Sequence, residues 1–190
     1  NHGKQLFMHP SIKLTAHFNE VVNKDHDGVP VHQIKEFSPR SSFGCSISSK
    51  PYLHLALASM SNYFSYVEKY WQSMATYYAM ISGGQGQVNT IPFVKDPLVS
   101  FKLNPVEISM LKEGLLKLGL CLFAAGAKTL FPSVVNMKPI NTQNELKEMV
   151  HNLRPKDLNL MTVHLFSSCP MGGDGKFTTV NSYGKFYGAD

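Results

Sequence analysis

A histidine followed by a loop of small residues is the part of the sequence best suited to chemistry. The stretch reads His164-Leu-Phe-Ser-Ser-Cys-Pro-Met-Gly-Gly173. The residues beside His164 are apolar, which predicts an imidazole that is partly desolvated and neutral near pH 7. A neutral histidine can accept the proton of an alcohol as hydride leaves. From this context alone, a structural histidine bonded to a backbone carbonyl is an equally good interpretation.

Other groups that could carry chemistry are weaker candidates. Cys169 has no assignable base in the sequence, and a lone buried thiol is usually inert. A metal site at His164 and Cys169 would need a second pair of ligands that the sequence does not provide, so no metal is expected. The stretch Gly83-Gly-Gln-Gly86 lacks the Gly-x-Gly-x-x-Gly spacing of a dinucleotide loop and is interpreted as a helix end and turn. His9, like the other isolated histidines, is interpreted as a surface or strand-face residue.

Composition restricts the class of protein. The chain has 190 residues, 43% hydrophobic and 16% charged, which is typical of one soluble globular domain. Its net charge is +5, but the Lys and Arg residues are scattered, so no nucleic-acid partner is expected. The most apolar segment, residues 115–131, is too short and too interrupted to span a membrane. Three widely spaced cysteines argue against a disulfide framework and favour a cytoplasmic protein.

Hydrophobic periodicity predicts the elements that must position these residues. Ile12, Leu14, Ala16 and Phe18 alternate as in a half-buried strand. Strands are predicted at residues 12–18, 29–37, 44–48, 88–93, 98–103 and 158–166. Apolar residues three or four apart over residues 51–81 predict one helix of about 30 residues that ends at the paired glycines.

Two further helices have recognisable starts. Asn104-Pro105-Val-Glu107 combines an N-cap, a first-position proline and an acidic third residue, and it predicts a helix to about residue 129. Thr142-Gln-Asn-Glu145 is a capping box that opens a short helix to about residue 153. With no repeat or linker, residues 1–190 are predicted to form a single α+β domain. Its mostly antiparallel sheet of about five or six strands is covered on one face by long helices.

The loop after His164 resembles a known family signature. The chain has His164-Leu-Phe-Ser-Ser-Cys-Pro-Met-Gly where the glucose–methanol–choline (GMC) flavin oxidoreductases have His-x-x-Gly-Thr/Ser-Cys-x-Met-Gly. The following Thr179-Val-Asn-Ser-Tyr-Gly-Lys-Phe-Tyr-Gly188 is similar to the family's Val-Val-Asp-Pro…Arg-Val-His-Gly stretch. Asn181 replaces a frequent Asp, and Ser167-Ser168 replace a frequent Gly-Thr. The preceding strand and helix order fits the family's substrate-binding domain.

The resemblance implies a function. It makes His164 the active-site base beside a flavin, and it places Ser167, Ser168, Cys169 and Met171 near the flavin ring. It implies that the whole chain is the substrate-binding domain of a larger flavoenzyme, truncated at both ends. The complete protein would use FAD to oxidise a small-molecule alcohol. Since the amino-terminal cofactor strand and the second catalytic His or Asn are absent, the isolated chain is expected to bind no FAD and to be inactive. Its partner would be the missing FAD-binding portion of the same protein.

A second interpretation belongs to another class of function. The chain could be a non-catalytic α+β module that binds a ligand or a partner. In that case His164 is structural, and the aromatic residues of the 51–81 segment form an apolar pocket or a contact surface. A dinucleotide fingerprint upstream of the chain and a His or Asn downstream would favour the enzyme.

Overall fold

The computed structural model describes residues 3–188, which form two compact units. The first unit consists of the chain through Pro10, Ser82–Glu107, and the chain from Thr162 onward. The second consists of Ser11–Ile81 and Ile108–Met161. Because the chain passes between the units several times, no linker in the sequence marks the division.

The described part of the chain contains α-helices and short strands, with 3₁₀ turns at 58–63, 71–73 and 155–157. In chain order the elements are β1 (Leu6–Met8), β2 (Ser11–His17), β3 (Gln33–Ile34), β4 (Ser42–Cys45), α1 (Lys50–Ala56), α2 (Phe64–Tyr70), β5 (Met74–Met80), β6 (Gly83–Asn89), β7 (Leu98–Lys102), α3 (Pro105–Ala124), β8 (Thr129–Pro132), α4 (Gln143–Asn152), β9 (Leu160–Met161) and β10 (Leu165–Phe166). All strand pairs are antiparallel. The predicted α+β class is therefore confirmed.

The second unit is built on a six-stranded sheet with β2 at its centre. The strand order is β3-β4-β5-β2-β8, and β9 also pairs with β2. Ile12 and Leu14 are fully buried on one face, as their alternation predicts. The long helix α3 covers this face, since Gly119 packs beside Leu14 and Gly114 beside Ala79. Strand β2 was thus predictable from its alternation, and the covering helix α3 from the signals at its start.

The opposite face of this sheet carries the short helices. Leu53 of α1 and Val67 of α2 form a buried cluster with Met74 and Phe131. Phe131 pairs with Thr15, so it lies on the face that points away from Leu14. The six-stranded sheet is therefore covered on both faces, and only one of them by a long helix.

The first unit contains the four-stranded sheet, in the order β10-β1-β6-β7. The central strands are the short β1 and the glycine-rich β6. Gly84 has a φ of +75°, and the ring of Phe101 on β7 occupies the space that its Cβ would need. Glu107 joins this sheet to the start of α3, since its carboxylate accepts hydrogen bonds from the N–H groups of Gly84 (2.6 Å) and Asn104 (2.7 Å).

Several predictions about local structure are wrong. Of the predicted strand at residues 29–37 only Gln33–Ile34 is a strand, and residues 158–166 contain the two short strands β9 and β10 in different sheets. Two larger differences concern residues 51–81 and 83–86. Residues 51–81 form α1, α2 and the strand β5 instead of one helix, because the backbone at Met60 is non-helical and residues 74–80 alternate in a sheet. Gly83-Gly-Gln-Gly86 is the start of strand β6 instead of a helix end and turn. In both places cross-strand pairing overrides the local pattern. Both predicted helix starts are correct: Glu107 N–H donates to Asn104 Oδ1 (3.0 Å), and Thr142 and Glu145 form the capping box.

The pairing of β2 with β5 can be tested through a buried pair of threonines. Thr15 and Thr76 are opposite one another, each 1% exposed, and their hydroxyl oxygens are 2.8 Å apart. We expect Thr76→Val to lower the free energy of unfolding by about 1–3 kcal/mol, because the Thr15 hydroxyl loses its partner. The double variant Thr15→Val/Thr76→Val removes both polar groups. Its free energy of unfolding is expected to fall by less than the sum of the losses in the two single variants. Urea unfolding of the unchanged chain, the single variants Thr15→Val and Thr76→Val, and the double variant measures the coupling. Additive losses would contradict this register.

Candidate functional site

Three residues of the first unit lie in one row across its sheet. Strand β1 pairs with β6 through Met8 and Gly83, and with β10 through Met8 and Leu165. One step further along the same register places His9 between Ser82 and His164. The sequence segments that meet here are far apart in the chain.

The contacts in this row are specific. His9 Nδ1 lies 2.9 Å from Ser82 Oγ, within hydrogen-bond distance. The rings of His9 and His164 meet edge to face, with centroids 5.3 Å apart and an angle of 83° between their planes. His9, which the sequence indicates as an isolated surface or strand-face residue, is therefore in contact with His164.

The backbone of His164 is held by a neighbouring hydroxyl. Thr162 Oγ1 accepts from the His164 N–H (3.2 Å) and donates to the His164 carbonyl (3.1 Å). The side chain is exposed, as are Val163 (76%) and Leu165 (65%). The expectation that apolar neighbours desolvate the imidazole is wrong for this chain, since these neighbours point into solvent themselves.

Aromatic rings extend the row into a patch. Phe7 stacks on Phe166 with centroids 6.1 Å apart, and His9 lies 5.0 Å from the same Phe166 ring. Phe7 and His9 are two residues apart, so they share one face of the sheet, and so do Phe166 and His164 across from them. We call Phe7, His9, His164 and Phe166 the ring patch. It brings aromatic and imidazole rings together, with Phe166 and His164 exposed.

The loop after His164 turns sharply and is fastened to the start of the chain. Ser167 has a φ of +68°, an uncommon conformation for a residue with a side chain. The carbonyl of Ser168 accepts from the N–H of Gly3 at 2.7 Å. Cys169 is exposed, and Met171 is 60% exposed. The four residues predicted to lie near a cofactor thus follow the ring patch directly in the chain.

The residues that follow fold back on this loop. Met171 pairs with Val180, and the Gly172 N–H donates to the Val180 carbonyl at 3.0 Å. The hydroxyl of Tyr187 donates to the carbonyl of Gly172 at 2.8 Å. Both stretches that carry the family resemblance therefore form one local structure.

Sequence reasoning missed His9 and Ser82. Neither stands in a motif, and each lies just outside a strand whose pairing is non-local. Finding them would have required the strand register of residues 6–8 with 83–86 and with 165–166. No local sequence pattern reveals that register.

A cavity of about 860 Å³ lies in the second unit, apart from these residues in sequence. Trp71, Cys45 and Tyr77 line it. Burial raises the pKa of the Cys45 thiol. The pKa of Tyr77 is raised mainly by burial and, to a smaller extent, by the nearby Cys45. Both groups are therefore neutral near pH 7, whereas the charged residues Lys24, Asp25, Asp27 and Lys50 also line the cavity. Among residues 3–188, no group of three His, Cys, Asp or Glu side chains could hold a metal ion.

Known relatives identify the family. An uncharacterized GMC-type oxidoreductase of Sinorhizobium fredii is 35% identical over 190 residues, which are 99% of this chain and 38% of the relative. Uncharacterized GMC-type oxidoreductases of two Mycobacterium tuberculosis strains are 27% identical over 118 residues, 62% of this chain and 18% of theirs. No protein-family model matches the chain. By this homology the chain belongs with the GMC-type oxidoreductases, and it spans well under half the length of these relatives. The resemblance seen in the sequence is confirmed.

None of the helices built from residues 3–188 combines the length and the apolar character needed to cross a bilayer.

The three cysteines provide a test of local exposure. Cys121 and Cys169 are exposed, whereas Cys45 is half-buried with a raised pKa. Because the thiolate is the reactive species, we expect an aromatic disulfide reagent at pH 8 to react with two thiols quickly and with Cys45 slowly. Cys169→Ser should remove one fast equivalent, and Cys45→Ser the slow one. Three equal rates in the native chain would contradict the described burial.

Proposed function

We propose that this chain is the substrate-binding portion of an FAD-dependent GMC-type oxidoreductase that oxidises an alcohol group. The supporting observation is the position of His164, which matches the family signature and lies in the ring patch beside the loop of Ser167 and Ser168. The homology to GMC-type oxidoreductases supports an oxidoreductase.

The residues of the first unit fit a flavin. Phe166 is 40% exposed and stacks on Phe7 with an angle of 24° between the rings, so this pair presents an aromatic surface against which a planar ring system would pack. Ser167, Ser168, Cys169 and Met171 would lie near that ring system and hold it, with hydroxyl, thiol and thioether groups on a tightly turned backbone. When bound, FAD would supply the hydride acceptor.

The chain's own contribution is proton removal and orientation. His164 would accept the hydroxyl proton of the alcohol as the carbon–hydrogen bond breaks, which is the role of a histidine acting as a general base. Thr162 fixes the His164 backbone from both sides, so the imidazole projects from a defined point. The missing FAD-binding portion of the same protein would be the partner of this chain. Three unpaired cysteines support a cytoplasmic location.

The proposal includes a requirement for that missing portion. Phosphate groups of a dinucleotide bind at a glycine turn between a strand and a helix start, where N–H groups converge. Gly83-Gly-Gln-Gly86 does not provide this arrangement, since it lies within strand β6. The isolated chain would therefore not oxidise alcohols.

We expect the isolated chain to bind FAD weakly or not at all. The measurement is a titration followed by flavin fluorescence, with the complete protein as the positive control. Tight binding at one FAD per chain would show that the missing portion is not required.

We expect His164→Ala in the complete protein to lower the rate constant of flavin reduction by about 10²- to 10⁴-fold, the usual effect of losing a general base. Stopped-flow reduction by the alcohol measures it. His151→Ala is the matched control, because His151 is exposed on α4 in the second unit. Flavin content and melting temperature should be unchanged in both variants. Normal reduction in a folded His164→Ala protein would favour the binding-module interpretation.

A further inference from the structure

We propose that His9, held by Ser82, is a positioning residue that orients the imidazole of His164. This role rests on the proposed function of His164. It assigns a task to two residues that the family resemblance of residues 164–188 does not include.

The first argument is the sheet register. His9 follows Met8, the last paired residue of β1, while Ser82 precedes Gly83 of β6 and His164 precedes Leu165 of β10. The pairing of Met8 with Gly83 and with Leu165 therefore brings the three side chains next to one another. Side chains at directly opposed positions of antiparallel strands have Cβ atoms about 4.5–5.5 Å apart. The contact of His9 with His164 thus lies directly beside the paired residues of β1 and β10.

The second argument is that His9 is itself restrained. Its Nδ1 is within hydrogen-bond distance of Ser82 Oγ, and its ring packs on Phe166 at 5.0 Å. His9 is half-buried, whereas His164 is exposed. His9 is therefore held by two contacts that do not involve His164, so its ring can restrict the orientation of the His164 ring.

The third argument concerns what holds His164. Within residues 3–188 no hydrogen bond reaches its imidazole, and Thr162 restrains only its backbone. The edge-to-face contact with His9 is the ring contact that limits its side-chain rotation. An exposed histidine without such a contact samples several rotamers, and a base must be aligned with the proton that it removes.

The contact itself can be observed by NMR without any turnover. In the complete protein labelled with ¹³Cε1-histidine, the His164 signal is assigned by its loss in His164→Ala. The neighbouring ring of His9 should displace this signal from that of the exposed His151. We expect His9→Ala to move the His164 signal toward the His151 value, and His9→Phe to retain most of the displacement because a ring is still present. Ser82→Ala should give an intermediate shift.

The same variants are then compared in flavin reduction. We expect His9→Ala to lower the rate constant of reduction by about 10- to 100-fold, with a smaller change in KM, because alignment of the base is lost and substrate binding is not. His9→Phe should restore part of the rate. If His9→Ala does not fold, His9→Phe and Ser82→Ala provide the comparison, and Ser82→Ala is then expected to be the slower of the two.

The outcomes separate the two proposals. A His164 signal that is unchanged in His9→Ala, while His164→Ala still lowers the rate constant of reduction by about 10²- to 10⁴-fold, would overturn the role of His9 alone. A His164 signal that moves to the His151 value in His9→Ala, together with normal reduction in that variant, would overturn it as well. Normal reduction in His164→Ala would overturn the proposed function, and the positioning role with it.

Discussion

Hydrogen bonding of β1 on both of its edges is the constraint on which the candidate site depends. This strand of three residues lies between β6 and β10, and its register aligns residues from three distant segments. Without this double pairing, His164 would stand on a free loop, with no ring beside it and no anchor for the residues that follow. The six-stranded sheet of the second unit has a similar centre in β2, but that strand organises a buried core.

Local signals in the sequence predicted the elements whose structure is set locally. The alternation of Ile12 and Leu14 matches strand β2. The capping residues at Asn104 and Thr142 match the starts of α3 and α4. The prediction failed at β5 and β6. Residues 74–80 continue an apolar period of three to four, yet Thr76 pairs with Thr15 in the sheet. Helical period and strand alternation share apolar positions over short runs, and the pairing that decides between them is non-local.

The candidate site was also predictable only where its residues form a local sequence pattern. His164 and its loop could be singled out because a family signature is a local pattern, and homology with GMC-type oxidoreductases agrees with it. His9 and Ser82 could not, since their place beside His164 is defined only by strand register. The predicted desolvation of His164 failed for a related reason. Apolar neighbours in sequence exclude water only when they are themselves packed, and Val163 and Leu165 are exposed.

The three-segment construction of the first unit has a consequence during translation. The residues of β1 leave the ribosome long before those of β6, and those of β10 come later still. Until then both edges of β1 carry unsatisfied N–H and C=O groups, and unpaired strand edges favour aggregation. Because β1 has only three residues, the edge left open to other chains is short. The short length of β1 thus limits the risk of aggregation that its late pairing creates.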